Sequence, residues 1–277
     1  MKYRIIALLS LLLPCCMLHA EQSLPSGGRD ASWHKWGPTL GLKQGGFILR
    51  AGYVIGGTTP VPLPEEIRKI NEFSPRGGIS LGIDGYRMFS KRWGVSIGAH
   101  FFWEGFHTSA DVKNYYVSYD EVDESSAGKP ETKIGYFTGT NVTSTEMWGV
   151  TLPLLVTYCI SPRWNVSAGP YMSCYFKQTF TGEVYENKDG VGYLRNLTPV
   201  GEKTFIGSDV ETHYDFSADM LPLSAGVELC FDWKAMRHMN VFGKLDWGLT
   251  NIWRRDFDAI SFRMYPIYGT IGVAYRY

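Results

Sequence analysis

Residues 93–104 alternate without a break. One face collects Trp93, Val95, Ile97, Ala99, Phe101 and Trp103, the other Gly94, Ser96, Gly98, His100, Phe102 and Glu104. Successive side chains of a strand point to opposite sides, so this stretch predicts a strand with one greasy face and one small or polar face. The opening Arg92-Trp93-Gly94-Val95-Ser96-Ile97-Gly98 is echoed by Arg163-Trp164-Asn165-Val166-Ser167-Ala168-Gly169 and more loosely from Arg237 to Gly243. Each copy follows a short polar turn, and each turn follows another alternating stretch, at 78–89, 147–160 and 221–233. Three hairpins result. Stretches at 46–55 and 265–277 bring the count to eight, with every neighbour antiparallel.

The other connections are long and polar, over about 57–77, 107–146, 178–218 and 253–264, with an acidic cluster at Asp120, Glu121, Asp123 and Glu124. Short turns at one end, long loops at the other and an even strand number are the layout of an outer-membrane barrel with periplasmic turns and extracellular loops. The expectation is therefore an all-β, eight-stranded antiparallel up-and-down transmembrane barrel in the cell outer membrane. Within the loops, residues 112–119 and 134–140 are expected to pair as a hairpin above the membrane. Residues 64–73, with Pro64 ahead of Glu65, Glu66, Arg68 and Lys69, predict a short amphipathic helix.

In register, one set of faces carries Leu49, Leu81, Ile97, Leu154, Val227, Leu245 and Ile271 and is almost free of charge apart from Arg87 near a turn. This is the expected lipid face. The opposite set carries Arg50, Asp84, Glu104, Glu228, Lys244, Asp246 and Arg276, with His100, among glycines and serines. Three positive and four negative charges inside a soluble sandwich would each cost several kcal/mol unless paired. Inside a narrow barrel they can pair with one another, so these seven residues are the expected lumen network. Phe89, Trp93, Trp164, Trp233, Tyr275 and Tyr277 gather at the short-turn end as an interfacial girdle.

Composition agrees, with 31 glycines, 15% aromatic residues and a formal net charge of zero. A neutral chain offers no footprint for nucleic acid. Lys2 and Arg4 precede an apolar run from Ile5 to Leu18 and then Ala20-Glu21, the layout of a signal peptide over 1–20. Cys15 and Cys16 make a lipoprotein signal the competing reading, against which stands Pro14 or Cys15 in the place of the usual small residue. A short periplasmic segment over 21–38 and a barrel over 39–277 complete the expected organisation. Cys159, Cys174 and Cys230 are odd in number and lie within strands, so they read as small packing residues, with one bond between two of them left open.

Three stretches carry a resemblance. Gly41 to Gly46, Leu152-Pro153-Leu154-Leu155-Val156-Thr157-Tyr158 with Val166 to Tyr171, and Trp247-Gly248-Leu249-Thr250-Asn251-Ile252 resemble segments of the PorT-like outer-membrane β-barrel family of Bacteroidota. The resemblance implies a small closed barrel, a role in a protein-secretion apparatus for some members, and structural roles for Pro153, Gly169 and Asn251. It departs in the loops after Phe106 and Phe176, which are long for the family.

Catalytic chemistry is sparse. Glu104, His107 and Ser109 near the rim could supply orienter, base and nucleophile of a lipid-A deacylase or acyltransferase, but only if the strand slips by one residue between Glu104 and His107. A narrow solute pore is a further alternative, opposed by the small bore of eight strands. The leading expectation is a non-enzymatic barrel with no cofactor and no metal, acting through its external loops in binding, adhesion or secretion-associated assembly. Outer-membrane lipid and lipopolysaccharide are its expected partners, with other envelope or secretion proteins beyond them.

Overall fold

Alternation becomes strand wherever neighbours can complete the backbone hydrogen bonds. The computed structural model describes residues 45–121, 131–196, 203–205, 213–257, 259–260 and 262–277. The expected signal segment 1–20, the segment 21–38, Gly41 to Gln44 of the resemblance, and Asp123 and Glu124 lie outside the described residues. Twelve strands are described: β1 (Gly45–Pro60), β2 (Ile67–Pro75), β3 (Ile79–Met88), β4 (Trp93–Glu121), β5 (Glu131–Cys159), β6 (Trp164–Tyr185), β7 (Tyr193–Asn196), β8 (Lys203–Phe205), β9 (His213–Asp215), β10 (Leu223–Lys234), β11 (Met239–Gly248) and β12 (Met264–Arg276). Eight of them, β1, β3, β4, β5, β6, β10, β11 and β12, form an antiparallel ring. β1 and β12 close it, from Ile48↔Arg276 to Pro60↔Met264.

The repeated arginine–tryptophan unit has a local cause. In the first two copies a serine hydroxyl accepts the backbone N–H three residues on, Ser90 from Trp93 at 2.9 Å and Ser161 from Trp164 at 3.2 Å. Such side-chain turns close a hairpin within a few residues. The third copy uses backbone alone, with Ala235 N–H donating to Met239 O at 3.1 Å.

Each residue of the greasy faces points outward. Ile97 and Leu154, paired across β4 and β5, are 58% and 54% exposed. No described helix is long and apolar enough to cross a membrane. Inside, Ile48, Tyr86, Cys230, Phe242 and Ala274 fill the short-turn end. Cys159, Cys174 and Cys230 are all free thiols, and Cys159 and Cys230 are buried in the packing. Pro153 is fully buried and the Asn251 side-chain oxygen accepts the Met264 N–H at 3.0 Å.

The long-loop end is more strongly built than its composition suggests. β4 and β5 each run for 29 residues, where a tilted crossing needs about 9–11. The hairpin expected over 112–119 and 134–140 is present within them, from Val112↔Gly139 to Tyr119↔Lys133, and merges with the transmembrane strands. Residues 107–111 and 141–146, read from sequence as loop, are thus strand. Of the span 178–218, β6 takes the part up to Tyr185, and β7, β8, β9 and a 3₁₀ turn at Ser217–Asp219 follow.

The helix predicted over 64–73 is instead β2. β3 covers one edge of β4 only from Gly94 to Trp103, which leaves that edge bare from Phe106 upward. A helix of eight or so residues is marginal in water, whereas a bare strand edge offers a row of unmade hydrogen bonds. β2 takes them, from Pro75↔Phe106 to Ile67↔Val112, and two bulges absorb the irregular spacing of its isoleucines.

Candidate functional site

The charged residues meet in two groups within the ring. Arg50 reaches across the lumen from β1: its Nε stands 2.5 Å from Asp84 Oδ2, and its two terminal nitrogens lie 2.9 and 3.1 Å from the Asp232 carboxylate on β10. Its guanidinium carbon lies 4.9 Å from the centre of the Phe242 ring. His100 Nε2 takes the other Asp84 oxygen at 2.8 Å. One turn of the wall away, Lys244 Nζ bridges Asp246 at 2.9 Å and Glu228 at 3.3 Å. Arg50, Asp84, Glu228, Lys244 and Asp246, all expected in the lumen, thus enter ion pairs. Glu104 lines a small void beside Tyr171, Asp246 and Tyr268, and Arg276 is buried at the short-turn end, where its carbonyl faces His238 Nδ1 at 3.2 Å.

Asp232 was missed by the sequence reading, although parity places it with Ser224, Glu228 and Cys230 on the inward face of β10. With it the inward charges become three positive and five negative. The void beside Glu104 measures about 20 Å³, room for about one water. Above it Met147, Phe180, Met220, Ile252, Trp253, Ile260 and Met264 pack into an apolar plug, and Phe180 meets Trp253 edge to face at 4.8 Å. This fills the bore just beyond its ionic section.

Beyond the plug the wall opens into a cavity of about 440 Å³, inside the about 300–1,000 Å³ range of small-ligand pockets. β4 contributes Phe106, Thr108, Ala110, Val112 and Tyr115, β5 contributes Phe137, Asn141 and Thr143, and β1 and β2 complete the side. Among the described residues no carboxylate, histidine, lysine or arginine lines it. The polar groups are few. The Tyr214 hydroxyl donates to Asn141 Oδ1 at 3.0 Å and shares a 2.9 Å bond with Thr143. Burial pushes this phenol above its ordinary pKa, so it is neutral across physiological pH. The Thr58 hydroxyl is buried on the same wall with no hydrogen-bond partner among the described residues.

The catalytic trio does not assemble. Pairing of β4 with β5 keeps one register from Trp93↔Tyr158 to Val112↔Gly139, so no slip occurs at the rim. Glu104 is buried inside, while His107 and Ser109 share the outward face. Across from His107 stands Ser144, in an outer groove of about 430 Å³ that also holds an exposed pair, His213 Nδ1 with Glu183 at 3.0 Å. No cluster of metal-ligating side chains is present among the described residues.

A family model described as "Outer membrane protein beta-barrel domain" matches residues 32–254. Similar solved structures include Ail, the attachment invasion locus protein of Yersinia pestis, at 9% identity and a TM-score of 0.36, covering 85% of this chain and 100% of that one. OprG from Pseudomonas aeruginosa follows at 15% and 0.31, covering 85% and 97%, and neisserial surface protein A at 7% and 0.32, covering 85% and 100%. At such identities the likeness bears on fold, not on activity. No curated protein is similar enough in sequence to match.

Proposed function

The chain belongs to the outer membrane protein β-barrel domain family and lies in the cell outer membrane, and from that premise we propose that it is a non-enzymatic binding protein that holds an uncharged, largely apolar ligand in the cavity at its long-loop end. The observation that carries this reading is a cavity of about 440 Å³ whose lining, among the described residues, holds no ionisable group other than tyrosine. Burying a charge there without a partner would be prohibitive, whereas each apolar CH₂ moved out of water gains about 0.8 kcal/mol. The packed ionic bore and the plug above it argue against passage to the periplasm. A secretion-associated role, as in some PorT-like proteins, rests on three short sequence stretches. The cavity favours a small ligand instead.

A short photoreactive alcohol, diazirine-bearing octanol, tests the reading on the full folded protein. Adducts are expected at Ala110, Val112 and neighbours when mapped by mass spectrometry. Ala110→Trp, which fills the cavity, should cut them about tenfold or more, while the folded form keeps its heat-modified gel mobility. Adducts spread only over the outer belt would sink it.

The lipid face carries its own expectation. Ile97 sits outward in mid-crossing, so Ile97→Arg should cost about 2–4 kcal/mol in urea unfolding from lipid vesicles. Ser109→Arg, outward but beyond the belt, should cost little. Equal effects at the two positions would contradict the placement of the bilayer.

A further inference from the structure

The ring is not hydrogen-bonded all the way up. β1 and β3 pair from Gly45↔Arg87 to Tyr53↔Ile79, and a single further bond joins Val54 N–H to Gly78 O at 2.9 Å. Above that point β1 continues to Pro60 paired with β12, while β2 pairs only with β4 among the described strands. A seam therefore separates the upper part of β1 from β2. Its origin is local: Gly77 holds φ +81°, a left-handed conformation that glycine adopts without steric cost, at the point where β2 gives way to β3.

The seam leads into the cavity described above. Thr59 and Pro60 on one side and Ile70 and Phe73 on the other are all cavity-lining, as is Leu63 in the connection between the strands. Leu63, Ile70 and Phe73 are nevertheless about half exposed. Directly below them the outward belt presents Tyr53, Ile55 and Ile79. Exposed apolar side chains thus follow one another from the lipid-facing wall to the lip of the seam, and the lip residues also line the interior. A mouth used only by solutes from water would gain nothing from that continuity, and three large apolar side chains at its lip would stay wetted. Lipid covering them removes the cost.

We propose that the cavity takes the acyl chain of an outer-leaflet lipid, which enters sideways through the seam between β1 and β2. This rests on the ligand-binding reading and specifies its occupant and route. The chain, not the head group, is what the site recognises: Arg68 and Lys69 on β2 could meet a phosphate, yet Glu65, Glu66 and Glu72 in the same stretch outnumber them.

The test uses the full protein in vesicles of phosphatidylcholine containing a phosphatidylcholine with a diazirine at the end of one acyl chain. Illumination and peptide mapping are expected to find adducts on inward residues of the upper strands, Ala110 and Val112 among them, as well as on the outer belt. The inward adducts should fall at least about tenfold in Ala110→Trp and in a variant carrying Ile70→Lys with Phe73→Lys, which charges the lip. Gel mobility confirms that both variants fold. Lipid-tail adducts confined to the belt, with octanol adducts still inside, would overturn the sideways entry and leave the binding reading intact. Loss of both kinds of adduct in the unmodified protein would overturn the two together.

Discussion

Arg50→Met is expected to be among the most damaging single substitutions in the transmembrane section, at about 3–5 kcal/mol, the usual cost of breaking a buried ion pair from one side. The side chain holds two carboxylates on different strands, Asp84 on β3 and Asp232 on β10, at 2.5 and 2.9 Å. Methionine matches much of its length and its contact with Phe242 but leaves both carboxylates without the guanidinium that holds them. Water cannot compensate, because the lumen here is packed, with Asp84 4% exposed and Asp232 likewise. Urea titration in vesicles, read by the shift between folded and unfolded gel bands, measures the loss. Arg50→Met combined with Asp84→Asn and Asp232→Asn removes the stranded charges along with their partner and should recover most of the stability. A single variant as stable as the unmodified protein, or a triple variant no better than the single one, would mean that the cluster does not hold β1 to β3 and β10.

Asp232 also shows how much of the lumen is legible in the sequence. Side-chain parity on β10 runs through Ser224, Gly226, Glu228 and Cys230 to Asp232, so the residue was readable from the same alternation that identified Glu228. The outward faces were readable in full, since the period of two is local and Ile97 or Leu154 needs no knowledge of its partner to be assigned. The long-loop end was different. Residues 64–73 carry a helix-like spacing of charges, and what makes 67–73 a strand is the bare edge of β4 some forty positions away, from Thr108 to Val112. β4 and β5 continue above the bilayer as a ribbon wetted by water on much of its surface, so the clean alternation fades there while the ladder persists. The cavity is less legible still. Ala110, Ile70, Thr58 and Tyr214 come from four separate segments, and nothing in their local sequence announces that they share a wall.

Closure of the ring gives the other large effect. Gly52 on β1 and Gly272 on β12 face each other at the pair that joins the first strand to the last. A Cβ on Gly272 would lie 2.2 Å from the Ala51 carbonyl oxygen and 2.5 Å from the Gly52 Cα, both backbone atoms that cannot rotate away. Gly272→Val must therefore push the closing strands apart, and every ladder bond from Ile48 to Pro60 depends on their separation. Overpacking a tight core usually costs about 1–3 kcal/mol. Here the strain falls on a ladder whose opening exposes two strand edges to hydrocarbon, where unmade backbone bonds cost several kcal/mol each, so the loss should reach or pass the top of that range. The yield of heat-modifiable folded protein on refolding into vesicles should drop accordingly. Gly243→Val on the neighbouring strand is the matched control, since a Cβ there meets nothing within 4 Å. It should refold as the unmodified chain does. If the two variants refold alike, contact between β1 and β12 is not the step that completes the barrel.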